Sequence, residues 1–271
     1  EKKKKRTKRC CITITVLFIT CMLIIPLVSV IVNSLKEGIG FYIRSISTEY
    51  VRSALGVTFL ATVIAVVINT FFGILTKFSF RGKQILATLI DIPFSISPVI
   101  VGLAYLMTFG RLGWFYPVIR AFNQFFGTNV RITFAIPGVV LATIFVTFPF
   151  VSREIIPVLN AQGKDEEEAA ALMGASGFTI FRKITLPQMK WGLLYGIILC
   201  TARALGEFGA VNALSKFRVE TFTFPLEIDA LYMSGTDQSI TAAFAASSIL
   251  VIIAVIILII RNILERKHIE Q

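Results

Sequence analysis

Charge is scarce in this 271-residue chain. Asp, Glu, Lys and Arg together make up 16%, against roughly 25% in soluble domains. With 55% hydrophobic residues and a mean hydropathy of +0.79, there is too little polar sequence to cover a soluble core, which points to an integral membrane protein. Histidine is nearly absent: His268 is the only one. The four cysteines, Cys10, Cys11, Cys21 and Cys200, form no CxxC pair, so a zinc site has too few ligands. Cys10 and Cys11 are either acylation sites at a membrane edge or inert thiols. No Ser-His-Asp set is present. Gly163-Lys164 lacks the upstream glycine and the following Ser or Thr of a phosphate-binding loop, so the chain is expected to hydrolyse nothing alone. No repeat relates the two halves, which argues against an inverted-repeat secondary transporter.

What is abundant is apolar sequence in long runs. Spanning a bilayer takes about 20 mostly apolar residues, and candidate spans cover residues 12–32, 54–75, 85–109, 132–151, 191–211 and 241–260. The first is too long for a signal-peptide core, and no small-residue cleavage site follows it. The chain begins with Glu1 rather than Met, so its native start is expected upstream. The net charge is +11, and seven Lys or Arg fall between Lys2 and Arg9. Such a cluster before an apolar run suits anionic lipid at a cytoplasmic surface. The basic residues form no stripe with interleaved aromatics, so nucleic acid is not expected as a partner.

Counting inward from that cluster, Lys77, Arg81 and Lys83 fall in a short cytoplasmic connection. Residues 153–190 form a long one, and Arg261, Arg266 and Lys267 lie beyond the last span. The last outer loop carries Glu220, Glu227, Asp229 and Asp237. The expected fold is all-α, with six transmembrane helices and both termini cytoplasmic. Its parts are a basic segment (1–11), a six-helix domain (12–262) containing the 153–190 loop, and a tail (263–271). The Arg111 to Arg131 segment fits least well: it is basic yet assigned outside, where Trp114 and Tyr116 suit the interface. Prolines 93, 98 and 149 break or kink the third and fourth spans, either to line a path or as packing bends.

The long cytoplasmic loop reads Lys164-Asp-Glu-Glu-Glu-Ala-Ala-Ala-Leu-Met-Gly174, then continues to Ile184-Thr-Leu-Pro187. Asp165 is expected to cap a helix whose acidic start suits the helix dipole. Three alanines favour helix at little bulk, and Gly174 is expected to end it in a left-handed turn. A second short helix should stop near Pro187. Leu172, Met173 and Phe178 offer apolar contacts, so the segment reads as a rigid knob for a soluble partner.

In residue type and spacing this loop resembles the signature of ABC importer permeases: EAA, three residues, G, nine residues, then I-x-L-P. Glu168, Ala169, Ala170, Gly174, Ile184, Leu186 and Pro187 carry the match. Further segments look like sulfate/thiosulfate permeases of the CysW type: Leu89-Ile-Asp-Ile-Pro-Phe-Ser-Ile-Ser-Pro98, Gly110-Arg-Leu-Gly-Trp114, Leu141-Ala-Thr-Ile-Phe-Val-Thr-Phe-Pro149, Ala202-Arg-Ala-Leu-Gly-Glu-Phe-Gly-Ala-Val211 and Phe224-Pro-Leu-Glu-Ile-Asp-Ala-Leu-Tyr232. The Ala202 to Val211 element is also similar to molybdate and tungstate permeases. The resemblance implies the type I importer permease fold in a bacterial or organellar inner membrane. It implies that Glu168–Pro187, with Leu172 and Met173, docks on an ATP-binding subunit. Expected partners are a second, CysT-like permease, two CysA-like ATPase subunits and an extracytoplasmic sulfate-binding protein. ATP and Mg would be bound by the ATPase subunits, with no cofactor in this chain. A molybdate/tungstate homodimer is the alternative, and a secondary anion transporter a more distant one.

Arg203 and Glu207 fall in the fifth span, four residues apart on one expected helix face. Ionisable groups at that depth are costly and face a cavity or a partner. Arg203 could help carry an anion with Glu207 modulating its charge, or the two could be a self-neutralising structural pair. Asp91 in the third span repels an anion and is expected to be buried against an unidentified base. Ser95 and Ser97, on the broken helix, could offer hydroxyls to an oxyanion or bond their own backbone.

Overall fold

The computed structural model describes residues 2–77 and 83–269. Arg81 falls outside these residues, as do the side chains of residues 1–10, of Lys83 and of Lys267. The described chain is helical, with no strand. In order, the helices are α1 (Lys2–Ile19), a π-helical turn (Thr20–Ile24), α2 (Ile25–Ser34), α3 (Ile39–Ile46), α4 (Glu49–Leu75), α5 (Lys83–Ser95), α6 (Pro98–Phe109), α7 (Tyr116–Phe126), α8 (Ile136–Gln162), α9 (Asp165–Leu172) and α10 (Gly177–Ile180). A second π-helical turn (Phe181–Thr185) leads to α11 (Leu186–Leu205), α12 (Gly209–Leu214), α13 (Phe224–Met233) and α14 (Asp237–Ile269).

Among the described residues, four helices are long and apolar enough to cross a membrane: Cys11–Ser34, Glu49–Leu75, Ile136–Gln162 and Asp237–Arg266. They match the expected first, second, fourth and sixth spans. The expected third span is not one rod. Thr88–Ser95 and Pro98–Phe109 meet at 108°, giving a fifth crossing if the pair is one span. Pro98 cannot donate a backbone hydrogen bond and disfavours helix at Ser97, so the break falls between them. The expected fifth span maps onto α11 only as far as Leu205. Gly206 follows the helix end, and α12 restarts the chain at Gly209.

The chain divides into two compact units. One comprises residues 1–52 and 227–253. Its segment Cys11–Ser34 contains an 18-residue apolar stretch with no residue buried by protein, as a lipid-facing helix would be. Within this unit the Tyr42 hydroxyl lies 3.0 Å from Ser248 Oγ. Glu227, expected in the last outer loop, lies instead on helix α13 and is fully buried.

The other unit comprises residues 53–226 and 254–271. Its core joins α4, α6, α8 and α12 through Val57, Val101, Val139, Val146, Ala210 and Leu214. A second cluster, Val151, Ile155, Met189 and Cys200, packs α8 on α11. Gly192 and Gly196 make that contact close: a β-carbon at Gly192 would lie 2.8 Å from the Glu154 carbonyl, and one at Gly196 2.9 Å from Val151 Cα. Two small residues four apart let membrane helices touch backbone to backbone.

Candidate functional site

The loop of residues 153–190 folds into the expected knob, with differences at both ends. Asp165 does not cap α9. Lys164 occupies the capping position without a side-chain bond, and Asp165 to Glu168 fill the first turn, where carboxylates meet the positive end of the dipole. At the other end, Gly174 has φ +86°. The Gly174 N–H donates to the Ala171 carbonyl and the Ala175 N–H to the Ala170 carbonyl, both at 3.0 Å. This is a Schellman closure, which requires a left-handed residue at the glycine position.

The second short helix does not stop near Pro187. α10 passes through the π turn straight into α11, and the Leu186 N–H donates to the Phe181 carbonyl. Pro187 lacks an N–H and tolerates only the first turn of an α-helix. The widened turn before it absorbs this without ending the helix. The knob is therefore continuous with α11.

The knob is also tied down. Glu167 Oε1 lies 2.6 Å from Lys77 Nζ at the end of α4 and accepts a 2.6 Å hydrogen bond from the Thr185 hydroxyl. Lys77 also donates to that hydroxyl. Gln188 Nε2 donates to Glu166 Oε2 at 2.6 Å. Partial burial would raise the Glu167 carboxyl, but the Lys77 and Thr185 hydrogen bonds and the Lys77 and Lys164 charges outweigh it and hold the group below the usual carboxylate range. Sequence reasoning missed Lys77, Glu166, Glu167 and Gln188.

Of the signature residues, Glu168, Ala169, Leu172, Met173, Gly174 and Pro187 are exposed, while Ala170, Ile184 and Leu186 are half-buried. Leu172 is 90% exposed, Met173 88% and Phe178 74%. Three large apolar side chains on one short knob are thus left uncovered by their own chain.

At the far end of α11, Arg203 Nη2 lies 2.7 Å from Glu207 Oε2. The two do not share a helix face, since α11 ends at Leu205. Glu207 turns back across that end, and its Oε1 accepts the Ala210 N–H at 2.8 Å. Glu207 is 1% exposed, whereas Arg203 is partly open. The break between α5 and α6 adjoins this region, with Pro98 packed against Gly209. Ser95 and Ser97 at the break are exposed.

Asp91 is not buried. It is half-exposed and pairs with Arg153 of α8, whose Nε and Nη2 each lie 2.9 Å from Asp91 Oδ1. The Arg153 guanidinium sits 4.0 Å above the Phe94 ring. No group of three or more metal-ligating side chains gathers among the described residues.

Residues 69–269 match the family described as "Binding-protein-dependent transport system inner membrane component". The chain is 41% identical over 250 residues to the sulfate transport system permease protein CysW of Escherichia coli K12, covering 90% of this chain and 83% of that one. It is 29% identical over 260 residues to the sulfate transport system permease protein CysT of Salmonella typhimurium, covering 93% and 90%. In fold it is similar to a crystal structure of a bacterial ABC transporter involved in import of the acidic polysaccharide alginate, with a TM-score of 0.77, 98% and 99% coverage and 16% identity. The chain belongs to the family of binding-protein-dependent transport system inner membrane components, and within it to the CysW type.

Proposed function

We propose that this CysW-type family member is the sulfate/thiosulfate-conducting permease subunit of an ATP-driven importer. The observation that carries the reading is the 41% identity to a sulfate permease across 90% of the chain. The exposed Leu172, Met173 and Phe178 knob supplies the surface an ATPase subunit would need. The chain itself is a non-catalytic membrane subunit. ATP and Mg belong to two ATP-binding partners, the second permease is CysT-like, and an extracytoplasmic binding protein delivers the anion. Likeness to both CysW and CysT supports a pair of related permeases. Six crossings with both termini in the cytoplasm fit the basic N-terminus and the basic cytoplasmic connections.

The coupling would work as a lever. ATP-driven movement of the partner displaces the Leu172–Met173–Phe178 patch. The Glu167 and Glu166 bonds keep α9 fixed to the start of α11. Without a hinge at Pro187, motion passes along α11, whose 20 residues span about 30 Å at 1.5 Å per residue. At its far end stands the Arg203–Glu207 pair. A positive group there offsets the cost of bringing a divalent oxyanion into low dielectric, and Ser95 and Ser97 on the adjacent break offer hydroxyls. Glu207 fixes the guanidinium and partly neutralises it, so the anion is held loosely enough to leave.

The test is uptake of radiolabelled sulfate by vesicles carrying the full complex, with thiosulfate and molybdate as competitors. Sulfate uptake competed by thiosulfate supports the reading. Saturable molybdate uptake with none for sulfate would replace it with the molybdate/tungstate alternative.

A further inference from the structure

Neither the coupling knob nor the membrane pair uses Arg111, Arg120 or Arg131, yet all three line one cavity of about 1020 Å3. Its walls come from the segment between Leu106 and Phe134, together with Phe217. The volume lies at the upper end of the roughly 300–1,000 Å3 of small-ligand sites, enough for an anion that keeps part of its water.

The frame around the cavity is built. The 110–115 turn is closed by the Gly113 N–H on the Gly110 carbonyl at 2.8 Å and the Phe115 N–H on the Thr108 carbonyl at 3.2 Å. Asn123, near the end of α7, accepts the Val130 N–H and donates to the Val130 carbonyl, both at 2.9 Å. It also accepts the Thr128 hydroxyl at 3.0 Å. These bonds fold the chain after α7 back onto the helix and fix the backbone next to Arg131. The wall residue Phe134 carries Lys216 5.0 Å from its ring centre, which adds a fourth cation nearby.

The electrostatics are one-sided. Among the described residues no acidic side chain lines the cavity, and none of the three guanidiniums has a carboxylate partner. All three are solvent-exposed, so water screens much of their mutual repulsion, but none is neutralised. The six-span reading also puts this segment on the extracytoplasmic side, where short loops are normally poor in Arg and Lys. An un-neutralised cluster of one sign there is suited to a multivalent anion. Guanidinium forks match the paired oxygens of a tetrahedral oxyanion.

We propose that this cavity is a receiving site for a tetrahedral oxyanion at the outer mouth of the chain, separate from the Arg203–Glu207 pair. It rests on the proposed sulfate reading for its outward orientation and its probe. Two sources share the chemistry: free sulfate, or the phosphate headgroup of an anionic lipid. Exposed Trp114, Phe122, Phe125 and Phe126 beside the cavity would suit the lipid interface.

The test uses the full chain in nanodiscs of phosphatidylcholine alone, with radiolabelled sulfate and equilibrium dialysis at constant ionic strength. Free sulfate as the ligand gives saturable binding that weakens at least tenfold in R111Q, R120Q and R131Q and is unchanged in the charge control R44Q. Lipid as the ligand gives no such binding but retention of phosphatidylglycerol from mixed nanodiscs, counted by mass spectrometry and lost in the three variants. Wild-type unfolding temperature in each variant guards against misfolding. The site is overturned if neither ligand is held in an arginine-dependent way, or if the variants lose only association with the extracytoplasmic binding protein. Sulfate uptake by the assembled importer is measured in parallel. Absent uptake with arginine-dependent binding removes the proposed function and leaves this site. Normal uptake without such binding removes this site alone.

Discussion

Lys77 Nζ lies 2.6 Å from Glu167 Oε1, so the end of α4 is bound by charge to the first turn of α9. Replacing Glu167 by Gln removes the charge, keeps a weaker acceptor, and should loosen the knob. Hydrogen bonds to charged groups are worth roughly 1.5–3 kcal/mol. ATP-driven uptake should fall several-fold while the complex still assembles in the membrane. The exchange K77E with E167K should recover part of the loss; no recovery would mean that the pair does not act as a tie.

The same pair predicts a pH dependence. Because the Glu167 carboxyl is held below its ordinary range when folded, its stabilisation is complete above the unfolded value. It is lost as pH falls through the lowered folded value. The unfolding midpoint of the wild-type complex should therefore drop more steeply than that of E167Q on acidification below the ordinary carboxylate range. Parallel curves would rule out this contribution.

Gly174 sits at φ +86° with open space around the position a β-carbon would take. Gly174→Ala should therefore act through backbone strain alone, costing about 1–2 kcal/mol. The expected result is normal membrane insertion with reduced co-purification of the ATPase subunits. Unchanged co-purification would show that the closure of α9 does not matter to docking.

Arg203→Gln should abolish sulfate uptake and also lower the unfolding temperature, because it leaves the fully buried Glu207 carboxylate with only the Ala210 N–H, and breaking a buried pair costs roughly 3–5 kcal/mol. Glu207→Ala should be milder in stability. It removes the bond to Ala210, but the arginine it leaves is partly open to solvent. If R203Q instead keeps uptake and only destabilises, the pair is structural.

The topology is open to labelling. Asn129→Cys should react with a membrane-impermeant maleimide from the extracytoplasmic side, and Ala175→Cys only after permeabilisation. Asn129→Cys labelled only from inside would make Thr88–Ser95 and Pro98–Phe109 a re-entrant pair rather than one crossing.

The knob was legible in the sequence because its signals are local: an acidic first turn, three alanines, a glycine at the end. The apolar spans were legible by length. Pro93 and Pro98 marked the break in the third span, but a proline does not encode a bend of 108°. The fifth span misled because Gly206 is compatible with a membrane helix and nothing local places the end at Leu205. Glu167 with Lys77, and Asp91 with Arg153, lie far apart along the chain, so their pairing depends on packing that no local pattern reports. One tertiary contact did carry a local signal: Gly192-Leu-Leu-Tyr-Gly196 has the spacing of a close membrane-helix interface.

An apolar knob that passes ATPase motion into a sulfate path should lose that role when its apolar side chains are replaced by charged ones. The most direct measurement is ATP-driven sulfate uptake in proteoliposomes of the full complex, comparing wild type with L172D/M173D. The double variant should insert and pair with the second permease, yet lose both the ATPase subunits and uptake. Uptake at the wild-type rate by that variant would contradict that role.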